Sequence, residues 1–245
     1  MQLDGEDVVG SVFVPYDFDS DRAMVLKMDK LRLPGDESDA ESETETELDP
    51  RKLPAIQVTA AELAFGDRYL CAVEATLEKT DDGLEAVSIT AKDETFEIAG
   101  TGRWLADDED ALGSHTFITA TLTSTDVEQT MARLNYQPGI VSDDMSMLFD
   151  LDWSGSPRAE FFDVLDGEVQ VRLGEGQLQE VDPGAGRVFG LMSIVELPRR
   201  LSLDFRDVFN KGFGFNKIAA SFRIDDGKTY TCDLSLEGPA ADIGI

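Results

Sequence analysis

Apolar side chains that recur at every second position constrain this chain more than any other feature. A two-residue period places them on one face of a β-strand and leaves the other face to water. Met145, Met147, Phe149, Leu151 and Trp153 alternate with Ser146, Leu148, Asp150 and Asp152. Cys71, Val73, Ala75 and Leu77 alternate with Ala72, Glu74 and Thr76, and Ile118, Ala120 and Leu122 with Phe117, Thr119, Thr121 and Thr123. Val169, Val171 and Leu173 flank Gln170 and Arg172, and Cys232, Leu234 and Leu236 flank Asp233 and Ser235. Asp81-Asp82-Gly83, Asp166-Gly167, Gly174-Glu175-Gly176 and Asp225-Asp226-Gly227 supply hairpin-turn chemistry between such stretches. The expected fold is mainly β, an antiparallel meander with one continuous apolar face. With little helix to cover it, that face must close on itself or present a groove to an apolar guest. Cys71 and Cys232 fall on apolar faces and read as small core residues.

Helices are few. Thr125 and Glu128 form a capping box, and Val127, Met131 and Leu134 then recur at helical spacing, which predicts a helix of about ten residues near 125–134. A second helical pattern covers 190–210, broken at Pro198 because proline lacks an amide and clashes with the preceding turn. Residues 35–50 carry acids, no base and almost nothing apolar, so they are expected to be a disordered loop. They divide the chain into N-terminal strands (1–34) and a main β region (51–245).

The charge balance narrows the function. Among 245 residues, 50 acidic side chains face 21 basic ones, a formal net charge of −29. Affinity for nucleic acid comes largely from neutralising phosphates, so a nucleic-acid partner is disfavoured. One His and two Cys cannot supply a closed structural zinc site. Gly184-Ala185-Gly186-Arg187-Val188-Phe189-Gly190 lacks the spacing of a dinucleotide loop, and Gly227-Lys228-Thr229 sits in a hairpin turn. Asp17, Asp19 and Asp21, and likewise Asp150 and Asp152, miss the later ligands of a calcium loop. There is no G-x-S-x-G elbow, and His115 is expected to face solvent beside an acidic turn. No catalytic, metal or cofactor residue emerges, and no enzyme is expected. The longest nearly apolar run, Val188–Val195, is far short of the roughly 20 residues that span a bilayer. Residues 1–7 show no export signal and residues 240–245 stop in a strand-like pattern, so a piece of a longer protein is expected. Between Arg187 and Lys228 the chain turns locally basic and rich in Phe, which suits a helix-capped core with snorkelling arginines or a patch for anionic headgroups.

Gly184–Ser193, followed by Leu197-Pro198-Arg199-Arg200-Leu201-Ser202-Leu203-Asp204-Phe205-Arg206-Asp207, resembles the central-to-C-terminal region of the YhdP family, large AsmA-like proteins of the Gram-negative envelope. Asp152–Pro157, Gly102-Arg103-Trp104, Leu53-Pro54 and Leu236–Ala240 match in the same order. The resemblance implies an elongated, groove-like (taco-shaped) twisted antiparallel sheet with a few short capping helices. It further implies a periplasmic location, an inner-membrane tether outside this chain, and phospholipid transport between inner and outer membrane linked to the outer-membrane permeability barrier. The partners would be phospholipid acyl chains, with other envelope proteins as further candidates.

On that basis the groove lining is expected at Val73, Leu77, Ile118, Leu122, Met147, Phe149, Leu151, Val169, Val171, Leu234 and Leu236. Gly186, Arg187, Gly190, Pro198, Arg199, Arg200, Asp204, Phe205, Arg206 and Asp207 carry the family motif, with the arginines and aspartates either bracing the second helical region or steering headgroups. The competing reading is a structural or docking module whose β face closes into a dry core.

Overall fold

The computed structural model describes residues 1–18, 22–33, 48–65, 68–109, 112–134, 136, 139–157, 164–179, 213–231, 233–239 and 242–244. The motif from Gly186 to Asp207, the second helical region and Cys232 lie outside the described residues, as does most of the acidic run.

In chain order the strands are β1 (Gln2–Asp4), β2 (Val8–Phe13), β3 (Met24–Leu33), β4 (Ile56–Phe65), β5 (Arg68–Lys79), β6 (Gly83–Lys92), β7 (Phe96–Ala106) and β8 (Ser114–Ser124). Helix α1 (Val127–Arg133) follows, then β9 (Ile140–Ser142), β10 (Met145–Ser154), β11 (Asp166–Leu173), β12 (Gly176–Leu178) and β13 (Phe213–Phe215). The chain continues through β14 (Lys217–Asp225), β15 (Lys228–Thr231), β16 (Ser235–Glu237) and β17 (Asp242–Gly244). Among the described residues fourteen of these strands form one sheet, ordered β1 to β8, then β10, β11, β14, β16 and β17, with β15 also beside β14. The sheet does not close into a barrel. A separate three-stranded sheet is ordered β13-β12-β9.

Pairing is antiparallel except between β3 and β4, which run parallel from Met24↔Ile56 to Leu33↔Phe65. A parallel pair needs a connection long enough to return the chain along the strand, and residues 34–55 supply it. Asp49 caps a 3₁₀ turn, Pro50–Lys52, accepting from the Arg51 guanidinium (2.9 Å) and the Arg51 amide (3.0 Å). The Arg51 guanidinium holds the Asp49 carboxyl down at about 2, so the cap stays ionised until pH falls toward that value.

Two of the expected hairpin turns differ. Gly174-Glu175-Gly176 carries the chain out of the large sheet, because β12 pairs with β9 and β13 and not with β11. Asp166-Gly167 lies inside β11; Gly167 has φ +132, and a Cβ there would stand 2.1 Å from the Asp150 carbonyl oxygen. Asp226 (φ 52) and Gly227 (φ 70) do form the β14–β15 turn, with the two positive φ angles of a type I′ hairpin.

Helix α1 starts one residue later than the capping box suggests, and is seven residues long. Asp126 is the cap: its carboxylate accepts from the Gln129 amide (2.9 Å) and from the Gln129 side chain (2.6 Å). A carboxylate outcompetes the neighbouring Thr125 hydroxyl as acceptor at the positive helix start. Leu134 already leaves helical geometry, with its amide turned back to the Thr130 and Ala132 carbonyls.

Candidate functional site: an apolar strip across the sheet

Strand β7 shows how the large sheet is built. Phe96, Ile98, Gly100, Gly102 and Trp104 share one face, and Glu97, Ala99, Thr101 and Arg103 share the other. Register carries that division across the sheet. One unbroken row runs Val12, Leu26, Val58, Ala75, Ile89, Gly100, Ala120, Phe149, Val169, Phe222 from β2 to β14, with no polar side chain in it. On one side lies the row Leu77, Ala86, Gly102, Ile118, Leu151. On the other lies Val73, Ala91, Ile98, Leu122, Met147, Val171. The opposite face reads Lys27, Thr59, Glu74, Thr90, Ala99, Thr121, Leu148, Gln170, Ser221, polar apart from Ala99 and Leu148.

The apolar face is covered at both strand ends and left partly open between them. At one end α1 and the small sheet seal it: Met145, Leu173 and Ile218 are buried in one cluster with Val127, Phe213 and Phe215, and Phe96 in a second with Cys71 and Leu134. The helix is fastened there by polar contacts at its base. The Thr130 hydroxyl lies 2.9 Å from both Ser124 Oγ and Thr95 Oγ1, and Arg133 donates to Asp93 (2.9 Å) and Glu94 (2.8 Å). Cys71, buried near Phe96 and Leu134, has its thiol pushed up to about 11 by burial, so it is a neutral core group. At the other end Leu84, Trp104, Thr116 and Trp153 are buried, beside buried Pro50 and Pro54. Between these lips Val58, Ala75, Ile89, Ala120 and Phe149 are only half-buried, as are Leu77, Ile118 and Leu151. Ala75, Gly100, Gly102 and Ala120 keep the floor low.

The row is long as well as apolar. Ten strands at ~4.8 Å spacing give about 43 Å along it, with its last two positions, Val169 and Phe222, buried in the packed cluster. One leaflet's worth of acyl chain is about 15 Å, half of a ~30 Å hydrocarbon core. Charge near the Trp104 lip is mixed: Asp81 and Asp82 lie in the Thr80–Gly83 turn and Asp107 and Asp108 follow β7, while Arg51 of the Pro50–Lys52 turn stands 3.5 Å from Asp108.

Each expected lining residue can now be placed. Ten of the eleven share the apolar face by register, and Leu234, two residues before Leu236, packs against the same cluster. Their surroundings differ. Val73, Leu77, Ile118, Met147, Phe149, Leu151 and Leu234 are half-buried, whereas Leu122, Val169, Val171 and Leu236 are buried within the sealed end. Sequence reading missed Ile89 and Val58 because register shifts between Ala86 and Ile89, and between Ala60 and Leu63, break the two-residue period in their strands. An apolar spacing that slips from two to three is the signal that could have found them.

His115 is expected at a solvent-facing position. It lies on the polar face, its Nε2 2.9 Å from Asp152 Oδ2 and its ring 4.7 Å from that of Phe117, which the Arg103 guanidinium covers at 4.8 Å. A carboxylate on the neighbouring strand holds the imidazole against the sheet. Asp150 accepts from the Thr119 hydroxyl at 3.3 Å, so both aspartates of the candidate calcium sequence serve cross-strand contacts. Among the described residues no group of three His, Cys, Asp or Glu side chains is arranged to hold a metal ion, and no helix is long and apolar enough to cross a membrane.

Among the described residues one buried polar side-chain atom stands apart. The Trp104 indole Nε1 has no hydrogen-bond partner, although a buried donor left unpaired costs about 1–3 kcal/mol. Its neighbours at the same lip are satisfied: Trp153 Nε1 donates to the Ser156 carbonyl (3.0 Å) and the Thr116 hydroxyl to the Gly155 carbonyl (2.7 Å).

Comparison with known proteins gives a family. The sequence model described as YhdP protein matches residues 1–245. The intermembrane phospholipid transporter YhdP of Escherichia coli strain K12 is 37% identical over 98 residues, covering 40% of this chain and 8% of that protein. The matched stretch is thus a small part of the relative's length. No solved structure matches.

Proposed function

From the premise that this chain belongs to the YhdP family, we propose that it is a noncatalytic segment of a lipid-transfer protein. Its half-open apolar strip shields phospholipid acyl chains on their way between inner and outer membrane. The observation that carries this reading is the ten-strand row from Val12 to Phe222, apolar throughout and half-buried in its middle. A soluble domain that needed this face only for stability would cover it along its whole length. The relative's name, an intermembrane phospholipid transporter, supports the same substrate class.

The mechanism is partition. At ~0.8 kcal/mol per methylene, a chain of about fourteen methylenes faces on the order of 11 kcal/mol on entering water, and an apolar trough removes most of that penalty. Headgroups stay at the open side in water, so no charge need be buried and no bond made or broken. Val73, Leu77, Ile118, Met147, Phe149 and Leu151 line the trough, while Leu122, Val169, Val171 and Leu236 form its packed end. The working location is the periplasm, with the anchor to the inner membrane in another part of the full-length protein. At β10, β11 and β14 the closed-core reading has its own support, because Phe213, Phe215 and Val127 cover the face there. That region is the wall against which the trough ends.

Native mass spectrometry tests this directly. The chain, directed to the periplasm of a Gram-negative host and purified without detergent, is expected to carry phospholipid in stoichiometric amount. A monodisperse protein free of lipid would count decisively against the trough.

A further inference from the structure

Eleven large apolar or aromatic side chains are exposed among the described residues, and they are not spread evenly. Eight sit at the strand ends that form the Trp104 lip. The other three, Val87, Leu148 and Tyr230, lie within strands, and none is at the end closed by α1. Val14, Tyr16 and Phe18 belong to the β2–β3 loop, Leu48 to the approach to the 3₁₀ turn, Leu112 to the β7–β8 loop, and Val164 to the residues just before β11. Single exposed apolar residues are ordinary, but a row of them along one rim marks a surface that is covered in use.

Contacts join these loops into one belt. Lys79, at the end of β5, donates to the Phe18 carbonyl (3.4 Å). A Cβ on Gly83 would stand 3.2 Å from the Pro50 Cβ, so the 3₁₀ turn abuts the start of β6. Arg51 of that turn lies 3.5 Å from Asp108 in the β7–β8 loop. The same loop abuts the end of β10, where a Cβ on Gly155 would stand 3.0 Å from Leu112 Cδ1. The Gly227 amide donates to the Leu165 carbonyl (2.9 Å) and the Asp226 amide to the Asp166 carboxylate (2.8 Å), which ties the start of β11 to the β14–β15 turn.

We infer that this belt is a docking surface for a basic protein partner, one that presents apolar side chains among Lys and Arg. Charge chooses the partner. In residues 14–18, 48–55, 79–83, 107–109, 112–113, 155–157, 164–166 and 226–228, nine carboxylates stand against four Lys or Arg. Arg51, Lys52 and Lys228 already lie beside belt carboxylates (2.9, 3.4 and 3.6 Å), so the surplus is acidic. A second copy of the chain would bring the same rim and its own formal net charge of −29, and an anionic bilayer would be repelled likewise. Neighbouring strands also rotate by about 20° each, so loops at opposite ends of the belt do not share a plane. A flat bilayer meets only a few of them, whereas a protein surface can follow the turn. Docking here does not use the half-buried row.

The full chain, labelled with carbon-13 at its Ile, Leu and Val methyls, is titrated at low ionic strength with three probes. These are a short amphipathic peptide of Lys, Leu and Ala, the same peptide with Glu for Lys, and phosphatidylcholine vesicles. The Lys peptide is expected to shift the methyls of Val14, Leu48, Leu112 and Val164 and to leave those of Val73, Ile89 and Ile118 in place. The Glu peptide and the vesicles are expected to move neither set. Tyr16→Ser and Leu48→Ser, both at exposed positions, should each weaken the Lys peptide ~5-fold and leave the thermal melt unchanged. Shifts confined to the trough methyls, an equal response to the Glu peptide, serine variants that bind as tightly as the parent, or silence throughout would overturn the assignment. Broadening of the rim methyls by vesicles alone would give the belt to a membrane, and dimers captured by p-benzoylphenylalanine at Tyr16 would give it to a second copy; either overturns it too. Lipid in the trough is read separately, by native mass spectrometry, and stands or falls on its own.

Discussion

Val171→Asp will leave no cooperatively folded protein. Val171 is buried, bonded in register between Met147 and Ala220, and packed in the cluster that joins β8, β10, β11 and β14 to Phe213 and Phe215. The substitution removes about 1.5–3 kcal/mol of apolar burial and buries a polar group that, even protonated, costs a further ~2–7 kcal/mol without a hydrogen-bond partner. The sum rivals the whole stability of a domain, about 5–15 kcal/mol. Urea titration followed by circular dichroism is expected to show no native baseline. A normal transition would mean that this end of the face is open, and the division into a packed wall and an open strip would be wrong.

Ala75→Asp should do the reverse: keep the fold and lose the lipid. Ala75 is half-buried in the middle of the row, between Val58 and Ile89, so its replacement leaves no cavity and the carboxylate can reach water. The stability cost is within the ~1 kcal/mol spread of strand preferences. A charge against hydrocarbon costs about 2.5–3.5 kcal/mol, which weakens acyl binding ~60- to 300-fold. Phe149 is a less clean position, because it also leans on the packed cluster. Native mass spectrometry of the folded variant checks the outcome. Undiminished lipid would place the guest elsewhere; unfolding would make the row a core.

Much of the sheet was legible in the sequence, since period two is set by backbone geometry alone. The strands around Cys71, Ile118, Met147 and Val171 face as their alternation requires. What escaped depends on contacts distant in sequence. Nothing local shows that residues 34–55 return the chain for a parallel pair, because length permits a crossover without dictating it. Nor does alternation separate Phe149 from Val171. Both are large and apolar on one face, and only the arrival of Phe213, Phe215 and α1 decides which is sealed. The capping box failed for a smaller reason, an aspartate next to a threonine. The orphan indole of Trp104 was invisible, since whether a donor finds an acceptor is settled only once the lip is assembled.

Photocrosslinking along β8 tests the trough most directly, since neighbouring residues there look to opposite faces. With p-benzoylphenylalanine placed singly at Ile118, Thr119, Ala120 and Thr121 in the periplasm of living cells, phospholipid adducts are expected at 118 and 120 and not at 119 and 121. Adducts at all four positions, or at none while the protein stays folded, would contradict a guest held on the apolar face.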